Sequence, residues 1–235
     1  MIPFNAPEID RALSGGGLSC GALHEFYYRD PSRKVETTVA IPALLARNAI
    51  DTYYASPSSA WSATRSGALP FFIAWIGRKC WPTPFFIPQE LLSSCLFIDP
   101  PSDALSLWAI ETALRSPLIK LVIAVSPRIN IKTSKRLSLR ARAHGTTAFL
   151  IRSIEDLSMP SSSATKWSLS PLPTQSTYPL WNLSLERNKG AALPQSSWTI
   201  GIETCYEERE AVSLRVLPRV VDTGYSEGVA LKRFG

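Results

Sequence analysis

Residues 15–38 read GGGLSCGALHEFYYRDPSRKVETT: a glycine-rich turn, a short apolar stretch, a loop, then Lys34, Thr37 and Thr38. Those residue types in that order have the outline of a phosphate-binding loop. Such a loop runs G-x-x-x-x-G-K-[ST]: glycines let backbone amides wrap a phosphate, lysine reaches the outer phosphates, and a hydroxyl holds magnesium. With Lys34 as the lysine, Tyr28 and Arg33 fall at the glycine positions and Val35 at the hydroxyl position. With Thr37 as the hydroxyl, Asp30 and Val35 replace the glycines and Glu36 the lysine. A Cβ at either glycine position obstructs the amide cradle. The stretch therefore reads as a degenerate phosphate loop around Lys34, Thr37 and Thr38, with Lys34 a solvated loop lysine.

Nucleotide hydrolysis also needs an apolar strand ending in an acid that holds magnesium. The strand in the right order, residues 118–125, ends in Ser126-Pro127. Asp99 follows an apolar LFI but precedes the helix that carries Trp108, which puts it on the wrong strand. His24-Glu25 joins acid and base types, yet adjacent strand residues point to opposite faces. His24 and His144 are the two histidines, and no nucleophile elbow precedes any serine. Cys20, Cys80, Cys95 and Cys205 form no CxxC pair, which suits reduced structural thiols in a cytosolic protein better than zinc or a disulfide framework. The expectation is no enzyme, no cofactor and no metal.

Cations are better organised. Lys132, Lys135, Arg136 and Arg140 recur at i, i+3, i+4 and i+8, which places them on one side of a helix, with Arg128 and Arg142 nearby. Such a stripe suits sequence-independent, salt-sensitive phosphate contact, and these six residues are the candidate DNA-binding set. A solvated helix face is the plainer reading. Trp108, Trp167, Trp181 and Trp198 occupy periodic positions and read as core rather than as base-stacking platforms.

The elements that must hold these residues follow from punctuation and period. Residues 5–13 read as a short helix with Asn5 as N-cap and Pro7 in its first turn, ended by the glycines at 15–17. Residues 22–28 read as a buried strand, and residues 37–50 as a helix that Pro42 should kink or begin. Residues 55–67 read as a loop; residues 69–76 and 95–98 read as buried strands. Residues 102–116 are the clearest helix, capped by Ser102 and stopped by Pro117, with Leu105, Trp108, Ala109 and Thr112 on one face and Leu107, Ile110 and Leu114 beside them. Residues 118–125 and 146–152 read as strands around a helix at residues 133–143, closed by His144-Gly145. That alternation predicts an α/β fold with a mainly parallel sheet. After residue 157 the texture becomes serine- and proline-rich, and alternation around Trp181, Trp198 and Leu214 predicts antiparallel strands extending the same sheet. The hairpin from Trp181 to Ile202 is expected at the sheet's end, where an unpaired edge strand could accept a partner.

The chain has 235 residues, 45% hydrophobic and 19% charged, with formal net charge +6 and a pI near 9.3. One domain over residues 1–220 with a flexible tail at 221–235 fits that length. The composition excludes a disordered chain. No signal peptide is visible, and the longest apolar run falls far short of the about 20 residues needed to cross a bilayer, so a soluble, cytoplasmic protein is expected.

Five blocks, in order, carry a family resemblance: IPFNAPEID with GALHE, DALSLWAIETALRS, TSKRLSLRARAHGTT, KWSLSP and WNLSLERNKG. The chain resembles the inducible-mutagenesis protein A family, ImuA, a branch of the RecA-like superfamily. Members usually carry a helical leader ahead of the first block; this sequence begins almost at that block. The resemblance implies a RecA-like core extended by antiparallel strands, without a working nucleotide site. It also implies a bacterial, nucleoid-associated, non-catalytic adaptor in SOS-induced mutagenic translesion synthesis. The implied partners are an ImuB-like Y-family polymerase homologue, an error-prone polymerase, RecA and DNA, with no membrane. Two other readings fit the same residues: a DNA-stimulated ATPase with an atypical nucleotide loop, and a DNA-binding regulator of recombination.

Overall fold

The computed structural model describes residues 1–28, 35–54, 71–78, 80–82, 87, 89–173, 179–191, 197–204 and 212–217. Lys34, the loop expected at residues 55–67, Cys205 and the tail at residues 221–235 lie outside them. Among the described residues, nine strands form one sheet: β1 (Leu23–Tyr28), β2 (Phe72–Ile76), β3 (Cys95–Ile98), β4 (Ile119–Val125), β5 (Thr147–Ser153), β6 (Thr165–Leu172), β7 (Leu180–Asn188), β8 (Ser197–Thr204) and β9 (Val212–Leu217). Their order is β3-β2-β4-β5-β1-β6-β7-β8-β9. Neighbours from β3 to β6 pair in parallel, and neighbours from β6 to β9 pair antiparallel. The expected parallel sheet with an antiparallel extension is the architecture observed.

Strand alternation sorts the core into two layers. Ile73, Trp75, Leu121, Ile123, Phe149 and Ile151 point toward α2 (Val35–Tyr54), whose Ile41, Leu44 and Leu45 join the same cluster. Ala74, Ile76, Val122, Ala124, Ala148 and Leu150 point the other way, toward α3 (Asp103–Ala113) and α4 (Ile131–His144). Covered on both faces, β1, β4 and β5 bury nearly every residue, so apolar residues dominate β4 and β5, while β1 buries His24 and Glu25 as well. Phe149, Phe26, Trp167 and Trp198 continue an aromatic row from the parallel half into the antiparallel half.

Several local expectations need correction. The first helix, α1, covers only Pro7–Asp10; its N-cap is Ala6, and Asn5 adopts φ 57°. The Asp10 carboxylate instead ties down the segment that enters the helix, accepting from the N–H groups of Phe4 (2.8 Å) and Ala6 (3.2 Å). Pro42 neither starts nor ends α2, which runs through it; burial from Val39 to Ala46 outweighs the missing backbone bond. β6 has no counterpart among the expected strands, although it joins the two halves of the sheet. The hairpin is not an edge, because β6 flanks β7 and β9 covers β8. Asn182, Ser184 and Ser197 instead bond to one another across it.

The face of α3 is the most consequential correction. Ser106, Ala109, Ile110 and Ala113 are its buried residues. Leu105, Trp108 and Thr112 are exposed. Ala109, Ile110 and Ala113 join Ala74 and Ala124 of the sheet in one core cluster, and burial of that stripe sets the helix's rotation. Trp167, Trp181 and Trp198 are buried, whereas Trp108 is 64% exposed.

Candidate functional site

The junction between β1 and α2 lies where a phosphate loop would be. β1 ends in Tyr28, which is buried, its hydroxyl without a partner, and burial holds the phenol well above its usual pKa. Thr37 and Thr38 fall in the first turn of α2. Three strands away from β1 in sheet order, β2 ends in Gly77 at φ 124°, where an added Cβ would meet Val125 Cβ at 2.8 Å. The next residues turn back over β4, and Cys80 Sγ donates to the Ile123 carbonyl at 3.7 Å. Burial pushes that thiol up to about 12, so it stays protonated. After β4, the Ser126 N–H donates to the Ile151 carbonyl and its hydroxyl to the Pro127 carbonyl. Asp99 follows the far edge strand β3, separated from β1 by β2, β4 and β5. Among the described residues, no group of three or more His, Cys, Asp or Glu side chains could hold a metal.

His24 and Glu25 do point to opposite faces. His24 Nε2 donates to the Ser19 carbonyl (2.9 Å), which leaves Nδ1 to accept from Thr165 Oγ1 (2.8 Å). Burial lowers its pKa to about 4, which keeps the ring neutral. Glu25 meets a sealed charge cluster on the α4 side. Its two oxygens accept from Arg152 Nη1 (2.9 Å), the Tyr27 hydroxyl (2.8 Å) and Ser163 Oγ (2.9 Å). Arg152 also reaches Asp156 at 3.1 Å. Burial works against the guanidinium charge, but Glu25, Tyr27 and Asp156 together raise its pKa above the ordinary value. Lys166 Nζ donates to the carbonyls of Leu157 and Met159, and Arg187 to those of Ser161 and Ser163. The cluster thus satisfies an irregular segment that crosses the sheet face without secondary structure of its own. Sequence reading missed it, because residues that bond directly within it, such as Glu25 and Ser163, lie as many as 138 positions apart.

The open surface on that same side is different. Asn130 caps α4 through the Thr133 N–H (2.9 Å), and Gly145 ends it at φ 65°. Ser134, Leu137 and Ala141 bury one face. The opposite face carries Lys132, Lys135, Arg136, Leu139, Arg140 and Ala143, which line an open groove of about 440 Å³. Arg136 and Arg140 both pair with Glu111 of α3, Arg140 at 3.7 Å. Arg142 is exposed in the last turn. Arg128 lies ahead of the helix and turns to Asp156 at 3.3 Å. The structure therefore brings four of the six predicted cations into one groove and leaves Arg128 and Arg142 outside its lining. Sequence reading missed Glu111, which pairs with two of these cations, and read the exposed Trp108 as core. Glu111 had a signal in the ETALRS segment, an acid one turn before Arg115, but its partners lie on another helix.

No protein-family model matches the sequence, and no curated protein matches it. Among solved structures, the chain is similar to one described as the crystal structure of the RadB recombinase. The TM-score is 0.56 at 15% identity, over 91% of this chain and 99% of that one. At that identity the likeness shows the fold, which is RecA-like α/β. No helix among the described residues is long and apolar enough to cross a membrane.

Proposed function

We propose that this chain is a RecA-like accessory protein of DNA repair that acts by contact rather than by hydrolysis. The observation that carries the reading is the cationic groove on α4, an exposed face of one sign on a RecA-like sheet. The recombinase-like fold supports a place in repair or recombination. The finer reading, an ImuA-like adaptor in SOS-induced mutagenic translesion synthesis, rests on the five ordered sequence blocks. In it, the chain holds an ImuB-like Y-family polymerase homologue near damaged DNA, with an error-prone polymerase and RecA as further partners. Tyr28, Arg33 and Val35, standing where two glycines and a hydroxyl are needed, support a role without ATP turnover.

The test has three arms. DNA binding measured against salt should weaken on Arg136→Glu with Arg140→Glu, and the slope of log affinity against log salt should flatten by about 1 for each phosphate no longer held. Unchanged binding removes the DNA-contact reading. Calorimetry with Mg-ATP should show no binding tighter than millimolar; micromolar binding restores the ATPase reading. Co-purification with the ImuB-like protein tests the adaptor role, which fails if the wild-type chain never captures it.

A further inference from the structure

Trp108 belongs to neither core cluster. The buried stripe of α3 sets a rotation that turns this indole to solvent, 64% exposed. An indole held in water forgoes the stabilisation that burial would give, and tryptophan is enriched at interfaces, where an apolar body and a polar tip both find partners. Glu111 lies one turn further along the helix, and it pairs with Arg136 and Arg140 of α4. Trp108 and the cationic groove therefore share one solvent-facing surface, built from two neighbouring helices on the same face of the sheet. Leu139, 58% exposed, adds an apolar patch among the cations.

We infer that this surface binds single-stranded nucleic acid, with Trp108 stacking an unpaired base while Lys132, Lys135, Arg136 and Arg140 take the neighbouring phosphates. The inference rests on the DNA-contact reading above and narrows its substrate. Charge complementarity selects a polyanion. The ring selects the single strand, because a duplex keeps its base faces stacked and offers only edges. From Lys132 to Arg140 the helix rises about 12 Å, room for a few phosphates in a row.

The experiment titrates a labelled thymidine oligonucleotide and a matched duplex against the full chain. Trp108→Ala should weaken single-strand binding by roughly ten-fold and leave its salt slope unchanged. Duplex binding should move less than two-fold, and Trp108→Phe should retain most of the single-strand affinity. Because the residue is exposed, the melting temperature should stay within about a degree or two of wild type. Equal loss on both DNA forms, or no loss on either, overturns the stacking inference; the DNA-contact reading still stands if the Arg136→Glu, Arg140→Glu protein binds weakly. If Trp108→Ala spares DNA but abolishes binding of a synthetic acidic amphipathic peptide, the surface is a protein dock and the inference is likewise overturned.

Discussion

The sheet face that carries α3 and α4 holds two groups of cations, one sealed and one in water. Arg152 is buried against Glu25 and Asp156, and Lys166 and Arg187 close over the backbone of residues 157–163. Arg136 and Arg140 lie on the helix alongside, half in solvent, with Glu111 their shared acid. Residue type is the same in both places, so type does not decide the role. In the sealed group each charge has fixed partners and is not free for a ligand. In the open group one acid serves two arginines, and the lysines face water, which leaves net positive charge for a partner. A charge deletion should therefore cost folding in the first group and binding in the second.

The largest expected effect breaks the sealed group. Arg152→Met leaves Glu25 buried without its cation, which should cost about 3–5 kcal/mol. Arg136→Met, the matched change in the open group, should cost about 1 kcal/mol or less. Chemical denaturation of both variants measures the contrast. Glu25→Gln with Arg152→Met should recover part of the loss, because the carboxylate stranded by the single change is gone. Equal costs at Arg152 and Arg136 would erase the distinction between the two groups.

The next effect concerns a sealed group on the opposite face. The ordinary pKa of His24 is 6.5, and burial lowers it to about 4 in the fold. Between those values the unfolded chain takes up a proton that the folded chain refuses. Stability contributed by the neutral ring is fully present above pH 6.5 and is lost as pH falls toward 4. The loss should amount to about 3 kcal/mol across that window. Denaturation midpoints measured from pH 7 to pH 4 give the slope, and His24→Asn should flatten it. A His24→Asn protein with the wild-type slope would assign the acid sensitivity to other groups.

What could be read from the sequence divides along the same line. β2, β4 and β5 are legible because parallel strands covered on both faces keep apolar centres, FIAWI, LVIAV and AFLI, which a polar residue at the strand end, such as Lys120 or Arg152, does not hide. The ends of α3 and α4 are marked by Ser102 and Gly145, whose chemistry is local. β6 is hidden because TKWSLSPL mixes Lys166, two serines and Pro171 into a strand, and only the sealed cluster explains the buried lysine. The phase of α3 is ambiguous in sequence, since 105/108/109/112 and 106/109/110/113 both have helical spacing. The sheet selects the second stripe, and that choice exposes Trp108. The cationic stripe is legible because all its members lie on one helix; Glu111, which tempers it, is not.

The smallest expected effect comes from that tempering acid. Glu111 draws Arg136 and Arg140 toward α3, so part of the groove's positive charge is already neutralised. Glu111→Gln keeps the shape and removes the charge. Surface ion pairs contribute about 0–1 kcal/mol, so the melting temperature should fall by a few degrees at most. Freed of their acid, the two guanidiniums gain mobility and the groove gains one net positive charge. Oligonucleotide affinity should then rise by about two- to five-fold at low salt, and the gain should fade as salt screens it. Titrations at two salt concentrations, wild type beside Glu111→Gln, read both quantities. Lower affinity in the variant would reverse the role given to Glu111: the carboxylate would then be holding the arginines in the geometry the phosphates need, and the open group would be as specifically built as the sealed one.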